Sequence, residues 1–470
     1  MLVVGRREET EVLRACWESD RPEFVAVYGR RRVGKTYLVR ETFRDRFAFY
    51  ATGVAQGTMR DQLDAFAEAL GDYGAGEPVR PVTWMEAFRL LKAHLIAWRK
   101  PGKKVVFLDE LPWMDTHKSR FLPALEWFWN SWVAGRPDIL LIVCGLATSW
   151  LVKKIFRNRG GLYNRVTRQL AIHPFTLAEC AAFAEEQGLL MNRQDLLEAY
   201  MIFGGIPFYW SMLDQRFSLR QNVSRLCFAE RGALRHEFDN LFPSLFANSD
   251  DHVTIVHALA RLRRGLTYEE IVTATGLPDG GGLTRRLAEL EQSGFLRTYR
   301  PFGRKRRGTM VQLTDPFTLF HLTFIEDSAP DEDFWTTYAA EPGHAAWSGY
   351  AFERVCFAHI PQIKEALGIA GVRTTTGAWT STTSTPGAQI DLVIDRNDRV
   401  VNLCEMKFAP DRFAMTNATV EELRRQRTVF AAETGTTKAI HLTMVTTFGL
   451  TRNAYAGFVQ SSVTADDLFR

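Results

Sequence analysis

No apolar run in the sequence comes near the roughly 20 residues that a bilayer-spanning helix requires, so no segment is expected to cross a membrane. Cysteine is scarce: Cys16, Cys144, Cys180, Cys227, Cys356 and Cys404 stand far apart, with no CxxC pair and no histidine at zinc-binding spacing. That argues against a disulfide framework or a structural zinc site, and reduced, mostly buried thiols of a cytoplasmic protein are expected. A secretory leader is not expected either, because "MLVVGRREETEVLR" turns charged directly after Gly5. Neither sign of charge is in excess: 58 Lys and Arg face 54 Asp and Glu, a net +4 that names no partner by itself. Glycine and proline are too few for a fibrous or low-complexity chain. What the sequence does have is length. Its 470 residues exceed what one hydrophobic core organises, so roughly three or four domains are expected.

The stretch "FVAVYGRRRVGKT" sets an apolar, strand-like run (24–28) directly before Gly29-x-x-x-x-Gly34-Lys35-Thr36, and "YLVRETF" continues as a helix. Strand, glycine loop and helix in that order are what a phosphate-binding loop needs. The glycines let backbone N–H groups turn toward the β- and γ-phosphates at the positive end of a helix dipole. Lys35 reaches those phosphates and Thr36 ligates magnesium. Gly29, Arg32, Val33, Gly34, Lys35, Thr36 and Tyr37 are therefore the expected cradle, with ATP and Mg²⁺ as its ligands. A second motif supports the first. "KKVVFLDEL" (103–111) reads as a buried strand ending in Asp109 and Glu110. Asp109 is placed to hold the magnesium shell, and Glu110 to polarise the attacking water. "DILLIVCG" (138–145) fits the same parallel sheet, and the helical stretches between these strands predict a doubly wound α/β domain.

The ordered motifs "GRREE" (5–9), "GRRRVGKT" (29–36), "VTWMEAF" (82–88), "FLDELPWM" (107–114), "CGLATSW" (144–150), "NRGGLYNRVT" (158–167), "HPFTLAEC" (173–180) and "FGGIPFYW" (203–210) carry a family resemblance. Over about the first 240 residues the chain resembles the archaeal-type ATPases, AAA+-related proteins near the STAND signalling NTPases. The resemblance implies that the Gly5–Arg6 turn lies beside the adenine. It also implies that the "GGIP" turn of a helical lid, with Pro207, closes over the nucleotide. Arg165 is a candidate for sensing the γ-phosphate, with a helix-surface arginine as the alternative. One position departs from the family pattern. Leu146 stands where a small polar γ-phosphate sensor is usual, so either Thr148 or Ser149 substitutes, or hydrolysis is slow and the protein switches on binding.

Beyond "NLFPSLFANSDD" the texture changes to three helices followed by a two-stranded wing. From Arg261 to Arg307 eleven Lys and Arg face five Asp and Glu, a local excess of +6. Winged helices place the third helix in the major groove while the wing touches backbone. Arg285 and Arg286 on that helix, with Arg304, Lys305, Arg306 and Arg307 on the wing, are the expected nucleic-acid contacts, DNA being favoured. A structural brace on the lid is the alternative.

Toward the end of the chain, "SGYAFERVCFAHI" reads as an amphipathic helix carrying Glu353, and "AQIDLVID" and "RVVNLCEMKF" as a hairpin about "RNDR". A turn near Asn397–Asp398 sets Asp391 opposite Cys404 or Glu405. Glu405 and Lys407, two apart, leave the same face of one strand. Two carboxylates there hold Mg²⁺ or Mn²⁺, and Lys407 orients a hydroxide attacking a phosphodiester. Residues 335–470 resemble the restriction-endonuclease-like, PD-(D/E)xK fold, which implies Glu353 as a helix-borne ligand beside Asp391 and Glu405. Gln389 and Gln426 are auxiliaries, with a helix-surface role favoured for Gln426. The run "RTTTGAWTSTTSTPGAQ" reads as a mobile loop at the rim of the site, or an inert excursion.

The expected fold is α/β and multidomain: a P-loop, AAA+-like core (1–175), a helical lid (176–245), a winged helix-turn-helix (246–325) and a restriction-endonuclease-like domain (326–470). The expected function is ATP binding and hydrolysis gating DNA engagement or a metal-dependent nuclease. The alternative is a nucleotide-dependent switch that binds DNA or a protein and cleaves nothing. Assembly into a homo-oligomer, with an arginine supplied in trans, stays an open expectation.

Overall fold

The computed structural model describes residues 3–470 apart from 75, 77–78, 147–153, 156–161, 163, 247, 263, 304–307 and 339–340. The chain divides into two compact units, Met1–Pro174 and Phe175–Arg470. No helix among the described residues is long and apolar enough to cross a membrane.

In the first unit, β1 (Glu23–Gly29), β2 (Phe47–Thr52), β3 (Lys104–Asp109), β4 (Ile139–Leu146) and β5 (Arg168–Ile172) form one parallel sheet in the order β2-β3-β4-β1-β5. β3 and nearly all of β1 and β4 are buried on both faces, which is why their sequences run apolar without alternation. Helices Met59–Asp72 and Trp84–Ala97 start on Thr58 and Thr83, whose hydroxyls accept the backbone N–H of Asp61 and Glu86. They bury Phe66, Trp84 and Phe88. Trp84 meets Phe121 edge-on at 4.7 Å between ring centroids, and Phe88 stacks on Phe128 at 5.0 Å, both from helix Phe121–Ser131. Full burial of such a ring contributes about 1.5–3 kcal/mol. This layer holds the sheet so that the carboxyl ends of β1 and β3 open on either side of β4, at the edge of the sheet where α/β folds bind ligands.

The second unit begins with helices Leu177–Glu186 and Arg193–Phe203, each started by a capping box. Buried His359 ties this layer to helix Pro342–Ala358. Its Nε2 accepts the backbone N–H of Leu177 at 3.0 Å while Nδ1 donates to the Val355 carbonyl at 2.8 Å, and burial keeps the ring's pKa below its ordinary value.

Helices Asp250–Ala260, Tyr268–Thr275 and Gly281–Gln292 pack with β6 (Leu266–Thr267), β7 (Leu296–Tyr299) and β8 (Met310–Leu313), in the order β6-β8-β7. Leu259, Ile271, Leu290, Phe295 and Leu313 form the core of this module. The sheet has three strands where two were expected, because Leu266 and Thr267 pair with Val311 and Met310.

The last sheet runs β13 (Ser461–Thr464), β12 (Ala439–Thr446), β11 (Val400–Lys407), β10 (Gln389–Arg396), β9 (Thr374–Thr380). β9, β10 and β11 are antiparallel; β11, β12 and β13 are parallel, with helix Asn417–Thr434 crossing between β11 and β12. The threonine-rich run is thus corrected. Its first half is the edge strand β9, with Gly377 and Trp379 buried, Ala378 half-buried between them and Thr376 and Thr380 exposed, the alternation of a half-buried strand. Its second half is held by one carboxylate: Glu433 accepts from the Ser381 hydroxyl and the backbone N–H groups of Thr382, Thr383 and Ser384.

Candidate functional site

The phosphate loop follows β1 directly. Gly34 takes φ +87°, a left-handed conformation that costs glycine least, and opens helix Lys35–Phe43. Arg32 is also left-handed, at φ +69°, an uncommon state for a side-chain-bearing residue and one that clusters at ligand sites. Lys35 is buried at 6% exposure, and its Nζ donates to the Arg30 carbonyl at 2.8 Å, so the ammonium lies inside the curl of the loop. Thr36 Oγ1 donates to Asp109 Oδ2 at 2.8 Å, while Asp109 Oδ1 accepts the backbone N–H of Glu110 at 2.9 Å. A hydroxyl and a carboxylate that close offer the oxygen ligands magnesium takes, so this donor set fits Mg²⁺ beside a triphosphate. Glu110 has φ +49° and opens a short helix, Leu111–Met114. Burial raises its carboxyl above the ordinary range against the pull of Lys35, and the neighbouring Asp109 charge adds to the rise. Such a carboxylate is well suited to take a proton from water.

Gly5 adopts φ +70°. Arg6 is buried, pairs with Glu9 at 3.3 Å, and donates to the carbonyls of Val33 at 3.3 Å and His173 at 2.6 Å. It therefore braces the phosphate loop from behind, a role its sequence position did not suggest. Tyr37 is half exposed on the helix face. Arg165 lies in an exposed turn ahead of β5, not on a helix. Leu146 ends β4 opposite Gly29. Thr148 and Ser149 lie outside the described residues. Pro207, in the second unit, is the first residue of helix Pro207–Trp210.

A Cβ on Gly29 would meet the Ile172 carbonyl oxygen at 2.2 Å, where β5 runs against the loop's base. Gly29→Ala is expected to cost about 1–3 kcal/mol of stability through this backbone clash. Chemical denaturation of the nucleotide-free protein reads this directly.

The second candidate site is on the C-terminal sheet. The register Leu392↔Cys404, carried one pair further, sets Asp391 against Glu405, one of the two expected partners. Asp391 Oδ2 accepts the backbone N–H of Met406 at 2.9 Å. Glu405 Oε1 meets Lys407 Nζ at 2.7 Å, and Oε2 accepts from Gln426 Nε2 at 3.0 Å. Burial raises the Asp391 carboxyl to about 8, and the charges of Glu405 and Glu353 add to the effect. Burial works to lower the Lys407 ammonium, but Glu405, Asp391 and Glu353 together hold it above its ordinary value. Glu353 is half-buried on helix Pro342–Ala358 and reaches this cluster through its charge. Among the described residues no three His, Cys, Asp or Glu side chains are gathered as a metal-ligand group.

Gln426 is a correction. Instead of lying on the helix surface it is 4% exposed, and its Nε2 also donates to the Gln389 carbonyl at 2.9 Å. The signal was available, since Gln426 falls on the buried stripe of Val420, Leu423 and Phe430.

Of the expected nucleic-acid contacts, Arg286 is paired with Asp251 within its own module, while Arg285 stays largely exposed at 3.8 Å from Glu289. Arg304, Lys305, Arg306 and Arg307 lie outside the described residues.

Comparison with known proteins agrees with the first site. Residues 2–126 match the family described as AAA ATPase domain. An uncharacterized protein of Methanocaldococcus jannaschii is 23% identical over 414 residues, spanning 87% of this chain and 88% of its own length. An uncharacterized ATP-binding protein of the same organism is 37% identical over 46 residues, 10% of this chain and 78% of that one. Among solved structures, a Walker-type ATPase of Pyrococcus abyssi is similar with a TM-score of 0.52 at 17% identity, over 68% of this chain and 96% of that one. The family match and the geometry converge: the first unit has the parallel α/β fold, and its phosphate loop the side-chain arrangement, of a P-loop AAA ATPase domain.

Proposed function

We propose that this chain is an ATP-binding, slowly hydrolysing switch whose nucleotide state controls nucleic-acid engagement by the second unit, and that the second unit carries a divalent-cation-dependent nuclease centre. At the first site, Lys35 and the loop N–H groups hold the β- and γ-phosphates, Thr36 and Asp109 hold Mg²⁺, and Glu110 takes the proton of the attacking water. Leu146, at the end of β4, has no hydrogen-bonding group to offer the γ-phosphate, which supports slow turnover. Glu110→Gln is expected to keep ATP affinity and lower hydrolysis about 10²-fold or more, read as phosphate release under saturating ATP.

At the second site one observation carries the reading: half-buried Asp391 stands across the β10–β11 pair from Glu405, whose carboxylate meets the Lys407 ammonium at 2.7 Å, while the charge of Glu353 acts on Asp391 from helix Pro342–Ala358. Like charges so placed are costly unless a cation or proton compensates them. Asp391 and Glu405, with Glu353 on the facing helix, would hold Mg²⁺ or Mn²⁺, whose oxygen-ligand preference they fit. Such an ion supplies Lewis-acid activation of water and phosphate. Lys407 orients the attacking oxygen, and Gln426 fixes the Glu405 carboxylate.

A second reading, a switch that cleaves nothing, draws on the same residues: Lys407 and Gln426 already occupy both oxygens of Glu405. Plasmid, linear and single-stranded DNA incubated with Mg²⁺ or Mn²⁺, with and without ATP, separate the two. Cleavage by wild type that disappears in Lys407→Ala is expected; equal degradation by both proteins, or none by either, leaves only the switch.

A further inference from the structure

The second unit contains a cleft of about 760 Å³ between the three-helix module and the C-terminal sheet. Arg264, Arg297 and Tyr299 line one wall; Phe357, Glu353 and Asp391 line the other. The walls are fixed to each other. The backbone N–H of Phe302 donates to the Ala378 carbonyl of β9 at 3.1 Å, and the Phe302 ring packs on Phe430 at 5.2 Å between centroids.

Arg297 is the unexplained group. Its Nε donates to Gln312 Oε1 at 2.7 Å, and its guanidinium lies 3.8 Å from the Phe357 ring centroid and 4.9 Å from that of Tyr299. Among the described residues no carboxylate pairs with it. Burial, with the nearby Arg354 guanidinium, lowers its pKa to about 10. Half-buried against two rings and without a carboxylate partner, this cation is stabilised by an anion that enters the cleft. By contrast, Arg264 is satisfied by Glu270 at 2.6 Å, and Arg285 and Arg286 face acids of their own module. Arg297 thus brings into the cleft a cation that, among the described residues, has no carboxylate partner.

The size of the cleft restricts the ligand. A cavity of this volume takes something of small-molecule dimensions. That admits a few nucleotides of one strand, whereas a duplex presents a major groove alone about 12 Å wide. A narrow groove combining a guanidinium with aromatic rings is how proteins hold single strands, phosphates on cations and bases on ring faces.

We infer that this cleft receives a single nucleic-acid strand, with Arg297 on a backbone phosphate and the strand running to the carboxylates at Asp391 and Glu353. The inference deepens the nuclease reading by naming its substrate as a single-stranded segment or end. The binding itself is testable apart from cleavage.

The test is fluorescence anisotropy of the full chain in EDTA with short labelled single-stranded DNA, the matching RNA, and a blunt duplex of the same length. Wild type is expected to bind a single strand. Arg297→Ala is expected to weaken that binding about tenfold and to reduce the slope of log K against log salt by about 0.7, with duplex binding unchanged. The tighter of the DNA and RNA arms names the sugar. Photocrosslinking of a thio-substituted strand to wild-type protein gives a readout independent of any variant's folding, with adducts expected on Tyr299 or Phe357. Unchanged affinity and salt slope in Arg297→Ala, an equal loss for duplex, or adducts confined to other elements overturns the inference. Arg297-dependent binding without cleavage in Mg²⁺ or Mn²⁺ upholds the cleft and removes only the catalytic reading.

Discussion

Replacing Lys35 with alanine is expected to lower ATP affinity about 100-fold or more, measured by calorimetric titration in the presence of Mg²⁺. The ammonium is buried in the curl of the loop, where the Arg30 carbonyl holds it at 2.8 Å until phosphate oxygens replace that partner. A charge-assisted hydrogen bond contributes about 1.5–3 kcal/mol, and Lys35 can give more than one to a triphosphate. Alanine removes both the charge and the stem that fills the loop. Thr36 and Asp109 contribute through Mg²⁺ in both proteins and so do not replace the lost ammonium. An unchanged affinity in a folded Lys35→Ala protein would remove the phosphate-loop assignment, and with it the switch.

Asp391→Asn is expected to stabilise the metal-free protein while abolishing its response to divalent cations. In wild type the folded-state carboxyl is raised to about 8, far above its unfolded value near 4, by partial burial and by the charges of Glu405 and Glu353. The folded state thus binds this proton more tightly than the unfolded chain does. The associated stability is fully present below about pH 4 and is lost as pH rises through about 8. At pH 8 and above the ionised carboxylate costs the native state on the order of a few kcal/mol. Asparagine removes that cost and still accepts the Met406 N–H, so in EDTA the variant should melt higher by on the order of 5 °C. The gain should shrink as pH falls toward 4. Added Mn²⁺ should raise the melting temperature of wild type and leave the variant unmoved. A variant less stable than wild type at pH 8 in EDTA would mean that the carboxylate is satisfied by its protein neighbours alone.

The nucleotide site was legible because its chemistry is local. Gly29 through Thr36 are contiguous, and Asp109 and Glu110 end a strand whose apolar run marks it as buried on both faces. The flanking strands β2 and β5 were not legible. β5 is short and keeps Arg168 and Gln169 exposed, so it lacks the unbroken apolar texture of β1, β3 and β4; β2, Phe47–Thr52, has that texture over Phe47–Ala51, but no chemical motif follows it to mark it. On the C-terminal sheet, the hairpin turn narrowed the partner of Asp391 to Cys404 or Glu405, and the register Leu392↔Cys404 selects Glu405, since strand pairing across a short turn is nearly forced. Gln426 was obscured by its charged neighbours Arg424, Arg425 and Arg427, which set the local texture of a surface helix although every third or fourth residue turns inward. The threonine run was read as loop from its polarity, but β-branched residues suit an edge strand with one wet face. Arg297 could not be found from sequence at all. Its position against Phe357 exists only once the three-helix module has docked on the C-terminal sheet, and no periodicity within either segment encodes that meeting.

The most direct test is Mn²⁺ binding followed by electron paramagnetic resonance, using nucleotide-free protein carrying Lys35→Ala so that the phosphate loop recruits no metal–nucleotide complex. The expected result is protein-bound Mn²⁺ that disappears when Asp391→Asn is added. Mn²⁺ that stays entirely free, or that binds equally well without the Asp391 carboxylate, would contradict a cation centre on the C-terminal sheet.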